Sequence, residues 1–140
     1  MKQAVAKFRI IEHTADIGLV AYGQSLAVAY ANAACGMFSI IADLRSVRET
    51  ETRRLEISEA DPEILLFEWL NRLLYFFDVE TLLLKRFEVS KLDGNNLQAT
   101  CYGERYDPSR HRLKTGVKSA TFHLLKVDPE KNQVRVIFDI

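Results

Sequence analysis

The sequence predicts an α+β fold, a β/α/β layered sandwich with two buried helices between mostly antiparallel sheets. Three observations carry this reading. Two helical stretches, near 26–42 and 62–77, are apolar on more than one side. A helix packed on one face of a single sheet keeps a broad polar face, so helices without one belong to a layer enclosed above and below. Most of the remaining chain reads as short strands separated by turns such as Asp93-Gly94-Asn95.

The elements follow in order. Ala6 to Ile11 and Ile17 to Tyr22 are extended runs on either side of Glu12-His13-Thr14-Ala15-Asp16. Ser25 is placed to cap a helix over Leu26 to Ala42, because its hydroxyl can accept from a free first-turn N–H. That helix carries one thin polar stripe, Ser25, Asn32 and Ser39. Asp43 to Arg48 is a turn or loop, and Arg48 to Ile57 alternates like an edge strand. Asp61-Pro62-Glu63 combines an N-cap, a proline at the first helical position and an acid at the positive helix end. The helix it starts runs to about Phe77, with Glu68 and Arg72 spaced for an ion pair. Leu82 to Lys91 and Leu97 to Gly103 form a hairpin, and Glu104 to Leu113 reads as a polar loop. Val117 to Val127 and Gln133 to Asp139 are strands joined by the Asp128-Pro129-Glu130-Lys131-Asn132 turn.

The 140 residues fit one domain over 1–140, and the content of 48% apolar and 27% charged residues is ordinary for a folded soluble chain. Lys plus Arg and Asp plus Glu both number 19, which argues against a dedicated duplex-binding surface and leaves room for a local basic patch. No apolar run reaches the roughly 20 residues of a membrane span, and no signal peptide is evident, so a cytoplasmic location is expected. Cys35 and Cys101 form no CxxC pair and read as reduced thiols.

The residues with chemistry lie at the two ends. Asp16, Asp139 and the terminal carboxylate of Ile140 would make an oxygen-rich site for a divalent cation if the fold brings the ends together. Against this stands the plain alternative that both aspartates are turn or end residues. His13 and His123, the latter within an expected strand Ala120–Leu124, could join a zinc or iron site, or act as the general base of a small metal-dependent hydrolase. No His-x-His or HExxH spacing supports either role, and structural histidines are the simpler reading. Arg105, Arg110, Arg112, Lys114 and Lys118 are the densest basic stretch, suited to a phosphate, an acidic partner or plain solvation. There is no Walker loop and no GxSxG, and Cys35 between Ala34 and Gly36 suits packing better than catalysis.

The segments Glu12-His13-Thr14-Ala15-Asp16-Ile17-Gly18, Ala33-Ala34-Cys35-Gly36-Met37-Phe38, Leu66 to Tyr75, Tyr102-Gly103-Glu104 with Asp107, Val117 to His123 and Phe138-Asp139-Ile140 carry a resemblance in their order and spacing. Along nearly its full length the chain resembles the archease family. The resemblance implies a β/α/β layered fold and a non-catalytic role. Archeases activate an RtcB-type RNA ligase of tRNA splicing and RNA repair by promoting its guanylylation and multiple turnover. It also implies a divalent cation, commonly calcium, held by Asp16, Asp139 and Ile140. His13, His123 and Lys118 then fall beside the site or at the partner interface. The tRNA would be reached only through the ligase, with no DNA or membrane partner. Phe122 stands where the family pattern has Tyr, and the Arg105-to-Lys114 loop is the least family-like part. A chaperone or RNA-binding module is the remaining alternative.

Overall fold

The structure, a computed structural model, describes residues 7–12 and 15–140. Its larger sheet contains β1 (Phe8–Glu12), β2 (Asp16–Tyr22), β6 (Ser119–Ala120), β7 (Lys126–Asp128) and β8 (Gln133–Asp139). The order is β1-β2-β8, and β8 then pairs with β6 at one end and β7 at the other. The smaller sheet has the order β3-β5-β4, made of β3 (Glu51–Ser58), β4 (Leu82–Asp93) and β5 (Asn96–Arg105). All of these pairings are antiparallel.

Between the sheets lie α1 (Leu26–Ile41) and α2 (Pro62–Glu80). Neighbouring residues of α1 show that it is enclosed. A Cβ on Gly36 would meet Leu19 of β2 at 2.8 Å, whereas the Cys35 thiol lies 3.9 Å from the Lys85 carbonyl of β4. Helix and sheet approach closely because Ala29, Ala33 and Ala34 are small and fully buried. The thin polar stripe is used locally: the Asn32 amide donates to the Tyr22 carbonyl at 2.6 Å, and the Ser39 hydroxyl to Gly36 at 2.7 Å. Tyr30 and Trp69 tie the helices together. The Trp69 indole donates to the Tyr30 carbonyl at 2.9 Å, and the Tyr30 hydroxyl donates to the Pro62 carbonyl at 2.6 Å. Each large apolar body is thereby buried with its polar end satisfied.

Both expected caps form. Val28 N–H donates to the Ser25 hydroxyl at 3.2 Å, and Ile64 N–H to the Asp61 carboxylate at 2.9 Å. Helix α2 outruns the expected end at Phe77 because Thr81 adopts the left-handed conformation, φ 56°, and its N–H closes onto Phe76 and Phe77. The expected Glu68–Arg72 ion pair is absent from those among the described residues. Asn71, on the same face, instead accepts from the Ala120 N–H at 2.9 Å and fastens β6 to the helix.

The expected strand Val117–Val127 is corrected. Only Ser119–Ala120 and Lys126–Asp128 pair with β8, and residues 121–125 leave the sheet. Leu124 takes φ 54°, outside the extended region of regular strand. Thr121 anchors the departure, its N–H and hydroxyl both donating to the Ile137 carbonyl. β-forming side chains disguised this turn.

Gly103 marks the tightest approach of the smaller sheet. A Cβ there would lie 1.9 Å from the Leu83 carbonyl oxygen, beside the irregularity where β4 shifts register between Leu84 and Arg86. Backbone cannot give way as a side chain can. Gly103→Ala is expected to cost about 3 kcal/mol or more, and Gly36→Ala, opposed by the movable Leu19 side chain, about 1 kcal/mol. Urea midpoints of the two variants check the order.

Candidate metal centre

The site is built by strand register. Asp16, the first residue of β2, lies directly opposite Asp139, the last residue of β8, and Asp139 lies opposite Ser119 of β6. Directly opposed residues project from the same face of a sheet. On β8 the buried Val134, Val136 and Phe138 face the helices, so Asp139 belongs to the outer face, and Asp16 with it. The Lys118 N–H donates to the Asp139 carbonyl at 2.8 Å and closes the other side.

Two carboxylates directly opposed on a sheet repel, and their Cβ atoms sit about 5 Å apart. Oxygen ligands at that spacing suit a hard divalent cation, which accepts oxygen at about 2.3–2.6 Å. Among the described residues no nitrogen or sulfur donor, of the kind zinc prefers, joins this pair. Among the described residues no cluster of three or more His, Cys, Asp or Glu side chains exists, so side chains contribute this pair and no larger set.

The structure does not unite every residue singled out in the sequence. His13 lies outside the described residues. His123 is corrected from strand to turn: it is exposed between Phe122 and Leu124 and belongs to no group of metal-ligating side chains among the described residues. Ile140 follows Asp139 with its side chain packed partly against the core. The basic stretch is dispersed. Arg105 donates to the Glu80 carbonyl at 2.7 Å, Lys114 to the Ser39 carbonyl at 2.8 Å, and Arg110 to Glu104 at 2.6 Å. These cations hold the loop to the body of the protein.

The sequence matches the model of the archease protein family (MTH1598/TM1083) over residues 8–140. The chain belongs to the archease family. It is 38% identical to the protein archease of Sulfurisphaera tokodaii over 134 residues, covering 94% of this chain and 96% of that one. Against the Pyrococcus abyssi archease it is 40% identical over 121 residues, with 84% of each covered. The solution structure of protein 1598 of Methanobacterium thermoautotrophicum superposes with a TM-score of 0.79 at 36% identity, over 96% of this chain and 99% of that one. A crystal structure from Thermotoga maritima, of an archease described as a possible chaperone, shares the fold with a TM-score of 0.58 at 23% identity, over 100% and 98% of the two chains.

In this archease-family chain the expected polar loop from Glu104 to Leu113 conceals a buried charge that sequence reasoning missed, and Glu104 itself still belongs to β5. Glu104 and His111 are 6% and 5% exposed. One Glu104 carboxylate oxygen accepts from Arg110 at 2.6 Å and from the Arg48 N–H at 3.1 Å, and lies 2.6 Å from His111 Nε2. The Asp107 N–H donates to His111 Nδ1 at 2.8 Å, so Nε2 carries the proton and donates to Glu104. Burial pushes the Glu104 carboxyl up, but the bonds from Arg110, Arg48 and His111 outweigh it and bring it down to about 2. The available hint was Glu104 seven residues before His111 in a chain with few histidines.

Two predictions follow from these geometries. Glu104 is depressed from 4.5 to about 2. Its stabilisation is therefore complete above about pH 4.5 and is lost as the pH falls through about 2. Glu104→Gln is expected to cost about 2–3 kcal/mol at neutral pH and to flatten that acid limb, read by chemical denaturation at several pH values. Asp139→Asn, relieving the repulsion with Asp16, is expected to raise the stability of the metal-free protein by about 0.5 kcal/mol, measured in chelator.

Proposed function

We propose that this chain is a metal-binding accessory protein that activates an RtcB-type RNA ligase of tRNA splicing and RNA repair, promoting its guanylylation and turnover. The observation that carries the proposal is the register pairing of Asp16 with Asp139 on the outer face of the larger sheet. Asp16, Asp139 and the main-chain carboxylate of Ile140 would hold the cation, calcium by preference for an all-oxygen donor set. The cation supplies positive charge at an exposed strand end, where a partner's acidic or phosphate groups can share it.

The chain's own part is positional. β2 and β8 hold two carboxylates that would otherwise repel, and Lys118 and Asn71 fix the neighbouring β6. No thiol nucleophile supports an enzyme. Cys101 is buried and pushed up to about 12 by that burial, and Cys35 is raised by burial as well. The protein then acts on the ligase and takes no catalytic step itself, and reaches tRNA within the ligase complex.

Exposed apolar side chains, among them Phe122 at 59% and Leu124 at 54% on one turn, favour a second reading as a chaperone. One experiment separates the two. Guanylylation of the ligase is followed with wild type, Asp16→Ala and Asp139→Ala, with calcium or with chelator. Loss of stimulation by at least tenfold in both variants, with melting in chelator no lower than that of wild type, supports the metal-dependent activator. A chaperone acting through apolar surface would keep its effect in both variants, and full stimulation by them would sink the activator reading.

A further inference from the structure

The outer face of the larger sheet carries a second site about four residues along β2 from the carboxylate pair. Register places Lys126 opposite Arg135, Arg135 opposite Val20, and Val20 opposite Arg9. The four residues form one row across β7, β8, β2 and β1. Lys131, from the turn between β7 and β8, joins Arg9, Lys126 and Arg135 in lining a groove of about 210 Å³. Val20 lies on this outer face yet is only 4% exposed, covered by the neighbouring side chains.

The charge in the groove is unbalanced. None of Arg9, Lys126, Lys131 or Arg135 makes an ion pair among the described residues, although eight pairs of Lys or Arg with a carboxylate form elsewhere among them. The one carboxylate in the lining, Asp128, accepts from the Lys131 backbone N–H at 3.3 Å and offsets at most one of the four cations. Lys126 directly opposite Arg135 is a like-charge cross-strand pair, which destabilises a sheet unless an anion neutralises it. Arg45, Arg53, Arg86, Lys91 and Arg110 have carboxylate partners, whereas this row gathers four cations around one carboxylate and so suits an external anion.

We infer that the groove binds the sugar-phosphate backbone of single-stranded RNA. The width selects the ligand. Four strands span three inter-strand spacings of about 4.8 Å, so the row extends about 14 Å, wider than one phosphate and suited to successive phosphates of a chain. A duplex would present two phosphate strands across a groove at least about 6 Å wide and would ask for two rows of cations. An acidic protein would need a large apolar or aromatic anchor, and the lining has no aromatic residue and offers only Ile11 as an exposed apolar side chain, Val20 and Val134 being buried. Backbone phosphates need only the cations. That the strand is RNA rests on the ligase reading above, whereas the charge and width of the groove stand without it. RNA is then touched by this chain directly and not through the ligase alone.

The test uses fluorescence anisotropy with a labelled twelve-nucleotide oligouridine, without ligase or divalent cation. Arg135 is left in place because its Nε donates to the Leu124 carbonyl at 2.8 Å and holds the 121–125 turn. The triple variant Arg9→Gln, Lys126→Gln, Lys131→Gln is expected to lose at least tenfold in affinity at low salt. Its salt dependence should fall by about 2 in log–log slope, near 0.7 for each lost phosphate contact. Lys126→Glu alone, verified as folded by its melt, should weaken binding severalfold. Wild-type binding absent at low salt, unchanged binding by these variants, or a duplex or polyglutamate competing as well as the RNA would each overturn the inference. Because the ligase is absent, failure here leaves the ligase reading intact, and failure of ligase stimulation leaves this result intact.

Discussion

The antiparallel pairing of β2 with β8 is the constraint on which the rest of the molecule depends. It joins residues 16–22 to residues 133–139 in unbroken register and places Asp16 against Asp139. Closing so long a loop carries a large entropic cost, and the return is one buried strand pair at the centre of the larger sheet. Ile17, Leu19 and Ala21 meet Phe138, Val136 and Val134 on the face turned to the helices. A slip of either strand by one residue would turn its apolar side chains outward and its aspartate toward the core. The same hydrophobic pattern therefore fixes the fold and the position of the carboxylates.

The helix layer was readable from the sequence because its signal is local. Asp61-Pro62 and Ser25 announce helix starts, and the apolar surround of both helices announces enclosure. The last strand was readable because alternation in Val134, Val136 and Phe138 has one explanation. Asp16 and Asp139 could be singled out because each ends a strand, and the pairing depended only on the two ends meeting.

What escaped the sequence depends on partners far away in the chain or on backbone conformation. Thr121-Phe122-His123-Leu124 looks like strand by composition, yet the 54° φ of Leu124 turns it out of the sheet. Glu104 and His111 look like loop residues because polar side chains are usually exposed, and only Arg48, Asp107 and Arg110 together make their burial tolerable. The basic row was hidden for a related reason. Its cations come from positions 9, 126, 131 and 135, whereas the conspicuous basic stretch at 105–118 is largely spent on internal hydrogen bonds.

The excursion at residues 121–125 also bears on solubility. A continuous strand from 117 to 127 would have offered its outer N–H and C=O groups to any extended chain in solution. The edge next to β8 is instead cut into pieces of two and three residues, separated by a turn that no passing strand can match. Broken in this way, that border cannot template edge-to-edge aggregation, while β8 behind it stays continuous.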